Sequence, residues 1–166
     1  MIAGLEPEVV EGGDEAFEGY WQRPEANAKA FRDGWYMTGD TGYMDEDGDV
    51  YVTGRVDDMI ITGGENVSPV EVESCLSLHP AVSEVAVVGL PDERWGQIVA
   101  AFITRRREVA ERDLDEHCRA SGLANFKRPR RYIFVREIPK SPVGKLLRRK
   151  LAAGEYQAEQ PADTGV

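Results

Sequence analysis

Residues 54–73 read GRVDDMIITGGENVSPVEVE, and this stretch combines three kinds of local structure. The apolar run at 59–62 is typical of a short buried strand. The glycine pair at 63–64 permits a tight turn and the close approach of a ligand to the main chain. A helix is predicted to begin after Ser68, with Glu71 completing a capping box. A strand, a glycine turn and a capped helix in succession indicate either a binding site or a joint between parts of the molecule.

The segments on either side of this stretch predict an α+β fold. Before it, two alternating strands flank the acidic turn at 45–48 and form a hairpin. After it we predict, in order, a helix, two strands, a helix, a strand and a basic helix, at 69–78, 82–90, 97–104, 113–120, 131–135 and 144–153. We therefore expect a small three-stranded sheet with its helices packed on one side. The end of the chain, 153–166, is rich in Ala, Glu, Gln, Pro and Asp and is predicted to be a disordered tail.

The charge of the chain is unevenly distributed. The net charge is −10, yet residues 101–150 carry 15 Lys and Arg against 6 Asp and Glu. A basic segment on an acidic protein favours a local anionic partner over general nucleic-acid binding. A charged, solvated face explains the same composition, and charge alone does not separate the two interpretations.

The cysteines and histidines do not form a recognisable metal or disulfide pattern. Cys75 and Cys118 lack ligand spacing and fall in predicted helices, where a small core residue is the simpler interpretation. The acidic turn at 45–48 lacks the spaced ligands of a calcium loop, so we predict no metal site. No apolar run reaches the length of a membrane span, and we expect a cytoplasmic protein.

Three separated motifs resemble the adenylate-forming superfamily, which includes acyl-CoA synthetases, peptide-synthetase adenylation domains and luciferases. They are GWYMTGD at 34–40, the opening stretch at 54–73, and PKSPVGK at 139–145. Two further segments, PDERWG at 91–96 and FKRP at 126–129, are most similar to acyl-CoA ligases of the benzoate, chlorobenzoate and fatty-acid type. The motifs keep the order that they have in the family.

The resemblance implies a domain organisation and a reaction. Residues 1–55 correspond to the end of a large N-terminal domain, and residues 56–152 to the mobile C-terminal lid domain. The family's phosphate loop and acid-binding pocket belong to the rest of the N-terminal domain, which is the expected partner, so the fragment is expected to be inactive alone. The implied reaction activates a carboxylic acid with ATP and Mg²⁺ to an acyl-adenylate and then transfers the acyl group to coenzyme A.

The resemblance also implies roles for four residues. Lys145 matches the catalytic lysine, whose positive charge contacts the substrate carboxylate and the α-phosphate. Asp40 matches the aspartate that binds the ATP ribose, and Arg55 the arginine beside the ribose and phosphates. Asp57 matches the hinge at which the C-terminal domain rotates between the two half-reactions. Without the resemblance, each of these residues has an ordinary explanation as a turn or surface residue.

A second set of residues is expected to bind coenzyme A. The glycine pair would line the passage for the thiol arm, the arginines would meet its phosphates, and an aromatic ring would stack near the adenine. This set is Gly63, Gly64, Trp95, Phe126, Arg128 and Arg130.

Two other functions remain open from the sequence. The chain could belong to an adenylation domain that loads a carrier protein, which would not need the 3′-phosphate of coenzyme A. It could also be a non-catalytic interaction module, in which Lys145 would be dispensable.

Overall fold

The computed structural model describes residues 8–13 and 17–159 of the 166-residue chain. These residues divide into two compact units, with the boundary between Asp57 and Asp58. A single 3₁₀ turn, Val56–Asp58, spans the boundary.

The first unit is a small antiparallel sheet with one short helix. Its central strand pairs with each of the other three strands of the unit. The elements are β1 (Glu8–Glu11), α1 (Pro24–Ala30), β2 (Phe31–Arg32), the central β3 (Trp35–Met44) and β4 (Val50–Arg55). The predicted hairpin is present as the antiparallel pair of β3 and β4. Its turn is stabilised by the Asp45 carboxylate, which accepts the backbone N–H groups of Asp47 and Asp49 at 3.0 and 2.9 Å.

The first unit buries very little of its own surface. Within its described part, 8–13 and 17–57, only Thr41 and Gly42 are buried. Large apolar side chains lie exposed along its hairpin, at Tyr43, Met44, Val50, Tyr51 and Val52.

The second unit is an α+β domain, which confirms the predicted fold class. In chain order it contains β5 (Ile60–Thr62), β6 (Glu65–Val67), α2 (Pro69–Ser77), β7 (Val82–Asp92), β8 (Gly96–Arg105), α3 (Glu111–Ala120), β9 (Arg131–Phe134) and α4 (Arg148–Ala152). The strands β7 and β8 form a long antiparallel hairpin, and β9 pairs with β8 in parallel.

The sheet of the second unit has five strands, so the expected three-stranded sheet was too small. Gly63 and Gly64 have φ values of +60° and +88°, which fold β5 and β6 into a hairpin with a two-residue turn. The hairpin then joins the sheet because Thr62 of β5 pairs with Gly96 of β8.

Helices cover both faces of this sheet, and the expectation of helices on one side was wrong. Consecutive residues of β7 and β8, such as 86–88 and 99–103, are all buried, so both faces are apolar. One face packs with α2 and α3 around Ile103, and the other packs with Leu151 of α4 around Phe102.

The segment before residue 160 is ordered, in contrast to the tail predicted from residue 153. Ala158 pairs with Val135 in an isolated antiparallel bridge, and the Glu159 N–H donates to the Phe134 carbonyl at 2.8 Å. The Tyr156 ring also packs edge-on against Phe102, with centroids 4.9 Å apart. Tyr156 is thus an apolar anchor that the composition-based prediction overlooked. Residues 160–166 of the predicted tail lie outside the described residues.

No helix in the described part of the chain is long and apolar enough to cross a membrane.

Candidate active site

Lys145 lies directly after a tight turn. The turn covers residues 141–144, and the Gly144 N–H donates to the Ser141 carbonyl at 2.8 Å. The Ser141 N–H donates to the Lys145 carbonyl at 2.8 Å, and the Lys145 N–H donates to Ser141 Oγ at 3.1 Å. The backbone of Lys145 is therefore held firmly, while its side chain is exposed.

The turn also explains why the last helix is shorter than predicted. Gly144 has a φ of +83°, outside the helical range, and the neighbouring residues Lys140 and Leu146 pair in an antiparallel bridge. The helix α4 consequently begins at Arg148 rather than at residue 144.

Asp40 and Arg55 lie side by side in the first unit. They are register partners on β3 and β4, and Arg55 Nη1 donates to Asp40 Oδ1 at 2.8 Å. Gly39 makes room for this pair, since a Cβ there would lie 3.1 Å from the Arg55 guanidinium. The two side chains remain 29% and 55% exposed, respectively, so both can still bind a ligand.

Asp57 lies in the 3₁₀ turn at the boundary between the two compact units, and it is exposed. This position fits the hinge that the resemblance implies, and its role stays a prediction.

Gly63 and Trp95 contact each other closely in the second unit. The Gly63 N–H donates to the Trp95 carbonyl at 2.9 Å. A Cβ on Gly63 would lie 2.7 Å from Trp95 Cε3, a distance too short for two carbon atoms. Gly63 is thus required by the packing of the indole, a reason that the sequence did not reveal.

We expect Gly63→Ala to destabilise the second unit more than Gly64→Ala does. Both residues have positive φ, so either substitution places a side chain in the left-handed region at a cost of about 1 kcal/mol. Only Gly63 also meets Trp95, which adds about 1–3 kcal/mol of overpacking, whereas a Cβ on Gly64 meets nothing within 4 Å. Urea unfolding of the two variants measures the difference, and equal losses would contradict the packing role of Gly63.

Two arginine side chains lie against the ring of Trp95. The guanidinium carbon of Arg130 lies 4.6 Å from the ring centroid, and that of Arg94 lies 4.9 Å away. Trp95 is therefore already engaged in packing, and an adenine ring could stack on it only by displacing a neighbour.

Arg128 and Arg130 differ in their availability. Arg128 is 17% exposed and donates to Asp115 Oδ1 at 2.6 Å, and it also contacts Asn125. Arg130 is exposed, and no carboxylate of the described residues forms an ion pair with it. Both arginines line a cleft of about 190 Å³, together with Asp115, Asn125 and Pro129.

Phe126 is the more accessible of the two predicted aromatic residues. Its side chain is 38% exposed, and the Lys127 ammonium lies 5.8 Å from its ring centroid. Lys127 in turn contacts Glu71 at 2.7 Å. Glu71 is therefore used in an ion pair, and the predicted capping box with Ser68 does not form.

An ionic cluster near the Lys145 turn was missed by the sequence analysis. Arg148 Nη2 donates to both Glu73 oxygens at 2.9 and 2.8 Å, and Nη1 donates to Asp58 Oδ2 at 3.2 Å. Burial raises the pKa of the Glu73 carboxyl, and Arg148 opposes that rise. No local pattern could reveal this cluster, because Arg148 is 75 residues from Glu73 in the chain.

The cysteines have packing roles, as predicted. Cys118 is fully buried in α3, and burial raises the pKa of its thiol to about 12. Within residues 8–13 and 17–159, no group of three or more His, Cys, Asp or Glu side chains is arranged to hold a metal ion.

Comparisons with known proteins agree with the motifs. Residues 71–145 match the family model described as the AMP-binding enzyme C-terminal domain. The chain is 50% identical over 165 residues to a 4-chlorobenzoate–CoA ligase of Arthrobacter, covering 97% of this chain and 32% of that ligase. It is 47% identical over 157 residues to the long-chain-fatty-acid–CoA ligase FadD13 of Mycobacterium tuberculosis, covering 94% of this chain and 31% of the relative.

The fold has solved counterparts in the same group. The o-succinylbenzoate coenzyme A synthetase of Bacillus subtilis, in complex with AMP, superposes with a TM-score of 0.83 at 35% identity, covering 93% of this chain and 31% of that chain. The chain thus spans about a third of the length of the curated relatives that it matches. Residues 71–145 thus match the AMP-binding enzyme C-terminal domain, and the chain as a whole is similar to about a third of these coenzyme A ligases in sequence and in fold.

Proposed function

We propose that this chain is the C-terminal part of an AMP-forming acid–coenzyme A ligase. In the first half-reaction, a carboxylate attacks the α-phosphate of ATP, giving an acyl-adenylate and releasing pyrophosphate. In the second, the thiol of coenzyme A attacks the acyl carbon, giving the thioester and AMP. The chain alone is inactive, because the acid pocket and phosphate loop belong to the missing domain.

The main support for this proposal is that Lys145 has a fixed backbone and an exposed side chain. Its backbone is fixed on both sides of a tight turn, while its side chain is exposed and pairs with no carboxylate of the described residues. A flexible ammonium group on a rigid base suits electrostatic stabilisation of charge on a carboxylate and a phosphate. An ammonium with a purely structural role would be expected to have a fixed partner, as Lys127 has in Glu71.

We assign the binding of ATP to the pair of Asp40 and Arg55 in the first unit. The Asp40 carboxylate would accept the ribose hydroxyl groups, and the Arg55 guanidinium would orient Asp40 and lie beside the phosphates. ATP supplies the AMP group that activates the acid, and Mg²⁺ would be held mainly by the missing domain.

The exposed surface of the first unit supports a missing partner domain. The hairpin leaves Tyr43, Met44 and Val52 more than half exposed, at 53%, 66% and 62%. Such a patch on a sheet with almost no buried residues of its own requires cover from another part of the protein. The N-terminal part of the ligase, about two-thirds of the length of the matched relatives, is the partner proposed here.

The coenzyme A site is proposed at the cleft beside Trp95. Arg130 is the preferred phosphate contact because it has no carboxylate partner, whereas Arg128 is neutralised by Asp115. Phe126 is the preferred stacking partner for the adenine because its ring is exposed. Gly63 and Gly64 would allow the thiol arm to pass close to the backbone.

A chimeric ligase tests whether coenzyme A is the acceptor of the acyl group. The chain is joined to the part of the Arthrobacter 4-chlorobenzoate–CoA ligase that lies outside the matched region. Thioester formation is then measured with coenzyme A, with 3′-dephospho-coenzyme A and with a phosphopantetheinylated carrier protein. Preference for coenzyme A with its 3′-phosphate supports the proposal, and preference for the carrier protein would overturn it.

We expect Arg130→Ala to raise the KM for coenzyme A by about tenfold, the usual effect of losing a charge-assisted contact. The same variant should lose its preference over the 3′-dephospho form. Arg128→Ala is the matched control: it should change this preference less and should lower stability, because it leaves Asp115 with Arg119 as its one ion-pair partner among the described residues. Loss of the preference in Arg128→Ala alone would contradict the assignment of Arg130.

A further inference from the structure

Arg148 joins four parts of the second unit. Its guanidinium contacts Glu73 of α2 through two hydrogen bonds and Asp58 through a third, and Arg148 itself begins α4. Glu73 also accepts the Val87 N–H of β7 at 2.8 Å. The side chains of Arg148 and Glu73 are only 19% and 14% exposed, so these ion pairs are largely removed from solvent.

Buried ion pairs of this kind contribute little net free energy to the stability of a fold. Burying two charges costs free energy that their attraction only partly returns, and apolar residues of similar size often stabilise a core equally well. The raised pKa of Glu73 reflects this cost, because desolvation outweighs the attraction of Arg148. What an ion pair adds over apolar contact is direction, since the N–H groups of the planar guanidinium point along fixed lines: Nη2 reaches both Glu73 oxygens, and Nη1 reaches Asp58.

Arg148 closely follows the Lys145 turn in the chain. Lys145 is separated from Arg148 by two residues, and the Leu147 N–H donates to the Pro139 carbonyl at 2.9 Å, closing the loop of 139–147. The far end of the loop is held by Lys140, which pairs with Glu84 of β7. That second pair is 39% and 43% exposed and therefore contributes little.

The other partner of Arg148 lies at the start of the second unit. Asp58 is the first residue after the boundary and directly follows Asp57, the predicted hinge. Through Asp58, the loop that carries Lys145 is tied to the point at which the second unit leaves the first. A rotation about Asp57 would then move this loop together with the rest of the second unit.

We propose that Arg148 is a positioning residue for Lys145, acting through Glu73 and Asp58. The inference rests on the proposed function, since it gives Lys145 its catalytic role. Arg148 is not itself a catalytic residue, because its Nη1 and Nη2 groups are bound by the two carboxylates and its side chain is largely buried. Its role is to keep the turn at 141–144 in one orientation relative to Asp58.

Hydrogen exchange of the whole 166-residue chain tests whether Arg148 anchors the loop of 139–147, and it does not require enzymatic activity. The Arg148→Gln variant is compared with Arg149→Gln, a matched control, because Arg149 is the exposed neighbour in the same helix. In Arg148→Gln, the amides of Ser141, Lys145 and Leu147 should exchange at least about tenfold faster, and this acceleration should exceed that of the β7–β8 hairpin amides, which report the loss of stability of the whole domain.

Two results would overturn the proposal. Unchanged exchange at the loop would show that Arg148 does not anchor it. An equal acceleration at the loop and at the β7–β8 hairpin would show that Arg148 only stabilises the domain as a whole. If Arg148→Gln does not fold, Asp58→Asn removes one contact of a partly exposed carboxylate and is measured in the same way.

The chimeric ligase separates this inference from the proposed function. Arg148→Gln should lower the kcat of adenylation about tenfold or more with the KM for ATP unchanged, and Arg148→Lys should restore part of it. An unchanged kcat in a variant with a loosened loop would overturn the positioning role. An inactive wild-type chimera would instead count against the proposed function, and the exchange data would still decide whether Arg148 anchors the loop.

Discussion

Replacing Lys145 by alanine in the chimeric ligase is expected to slow acyl-adenylate formation by roughly a hundredfold to a thousandfold, the usual cost of removing one preorganised charge or donor. The ammonium group has no competing partner among the described residues, so its loss should remove charge stabilisation rather than disturb the fold. Pyrophosphate release measures this half-reaction. Thioester formation from supplied acyl-adenylate should change little, because the bond between the acyl group and AMP has then already formed.

Lys150→Ala is the matched control for this prediction. Lys150 is an exposed lysine of α4, close in sequence to the turn, and its removal alters the local charge equally. Its adenylation rate should stay within about twofold of the wild type, as expected for a charge that contacts no reacting group. A Lys145→Ala enzyme that is as active as Lys150→Ala would show that the chain serves as a non-catalytic module.

Replacing Glu73 by alanine is expected to reduce the free energy of unfolding of the chain by roughly 3 kcal/mol, because Arg148 is left largely buried with one carboxylate fewer. Glu71→Ala is the control, since Glu71 lies two residues earlier in the same helix. Its pair with Lys127 is 44% exposed on the glutamate side, and its loss should cost less than about 1 kcal/mol. Urea unfolding measures both values, and similar costs would contradict the central role of the Glu73–Arg148 pair.

The pH dependence of the Glu73→Gln variant follows from the direction of the pKa shift. Burial raises the pKa of Glu73 above its ordinary value, so the folded state binds more protons than the unfolded state in that window. The pH-dependent part of the contribution of Glu73 to stability is therefore complete below its ordinary pKa and is lost as the pH rises through the raised value. The difference to be measured is the free energy of unfolding of the wild type minus that of Glu73→Gln, and it should fall as the pH rises over the range above the ordinary glutamate pKa. A difference that grows over this range would contradict the raised pKa.

The sequence predicted the parts of the fold that depend on local patterns. The helix α2, the strands β7 and β8 and the hairpin at 45–48 are set by apolar runs, turn residues and helix ends that lie close together in the chain. The α+β class follows from their order. The roles of Lys145, Asp40 and Arg55 were predicted from the family resemblance rather than from local patterns, and they stay predictions.

The features that the sequence did not predict depend on contacts between distant residues. The β5–β6 hairpin joins the sheet through Thr62 and Gly96, and α4 is shortened by the bonds between Ser141 and Lys145. The pairing of Glu73 with Arg148 likewise has no local signature. Periodicity records which residues favour a strand or a helix, but it carries no information about which charges meet after folding.

Product analysis of the chimera tests the proposal that this chain completes an AMP-forming ligase. The N-terminal part of the Arthrobacter ligase is assayed alone and joined to this chain, with acid, ATP and coenzyme A present. We expect AMP and the thioester to form in equal amounts only in the chimera, and to be lost with Lys145→Ala. Equal activity with and without this chain, or a folded chimera that forms no adenylate, would contradict the claim.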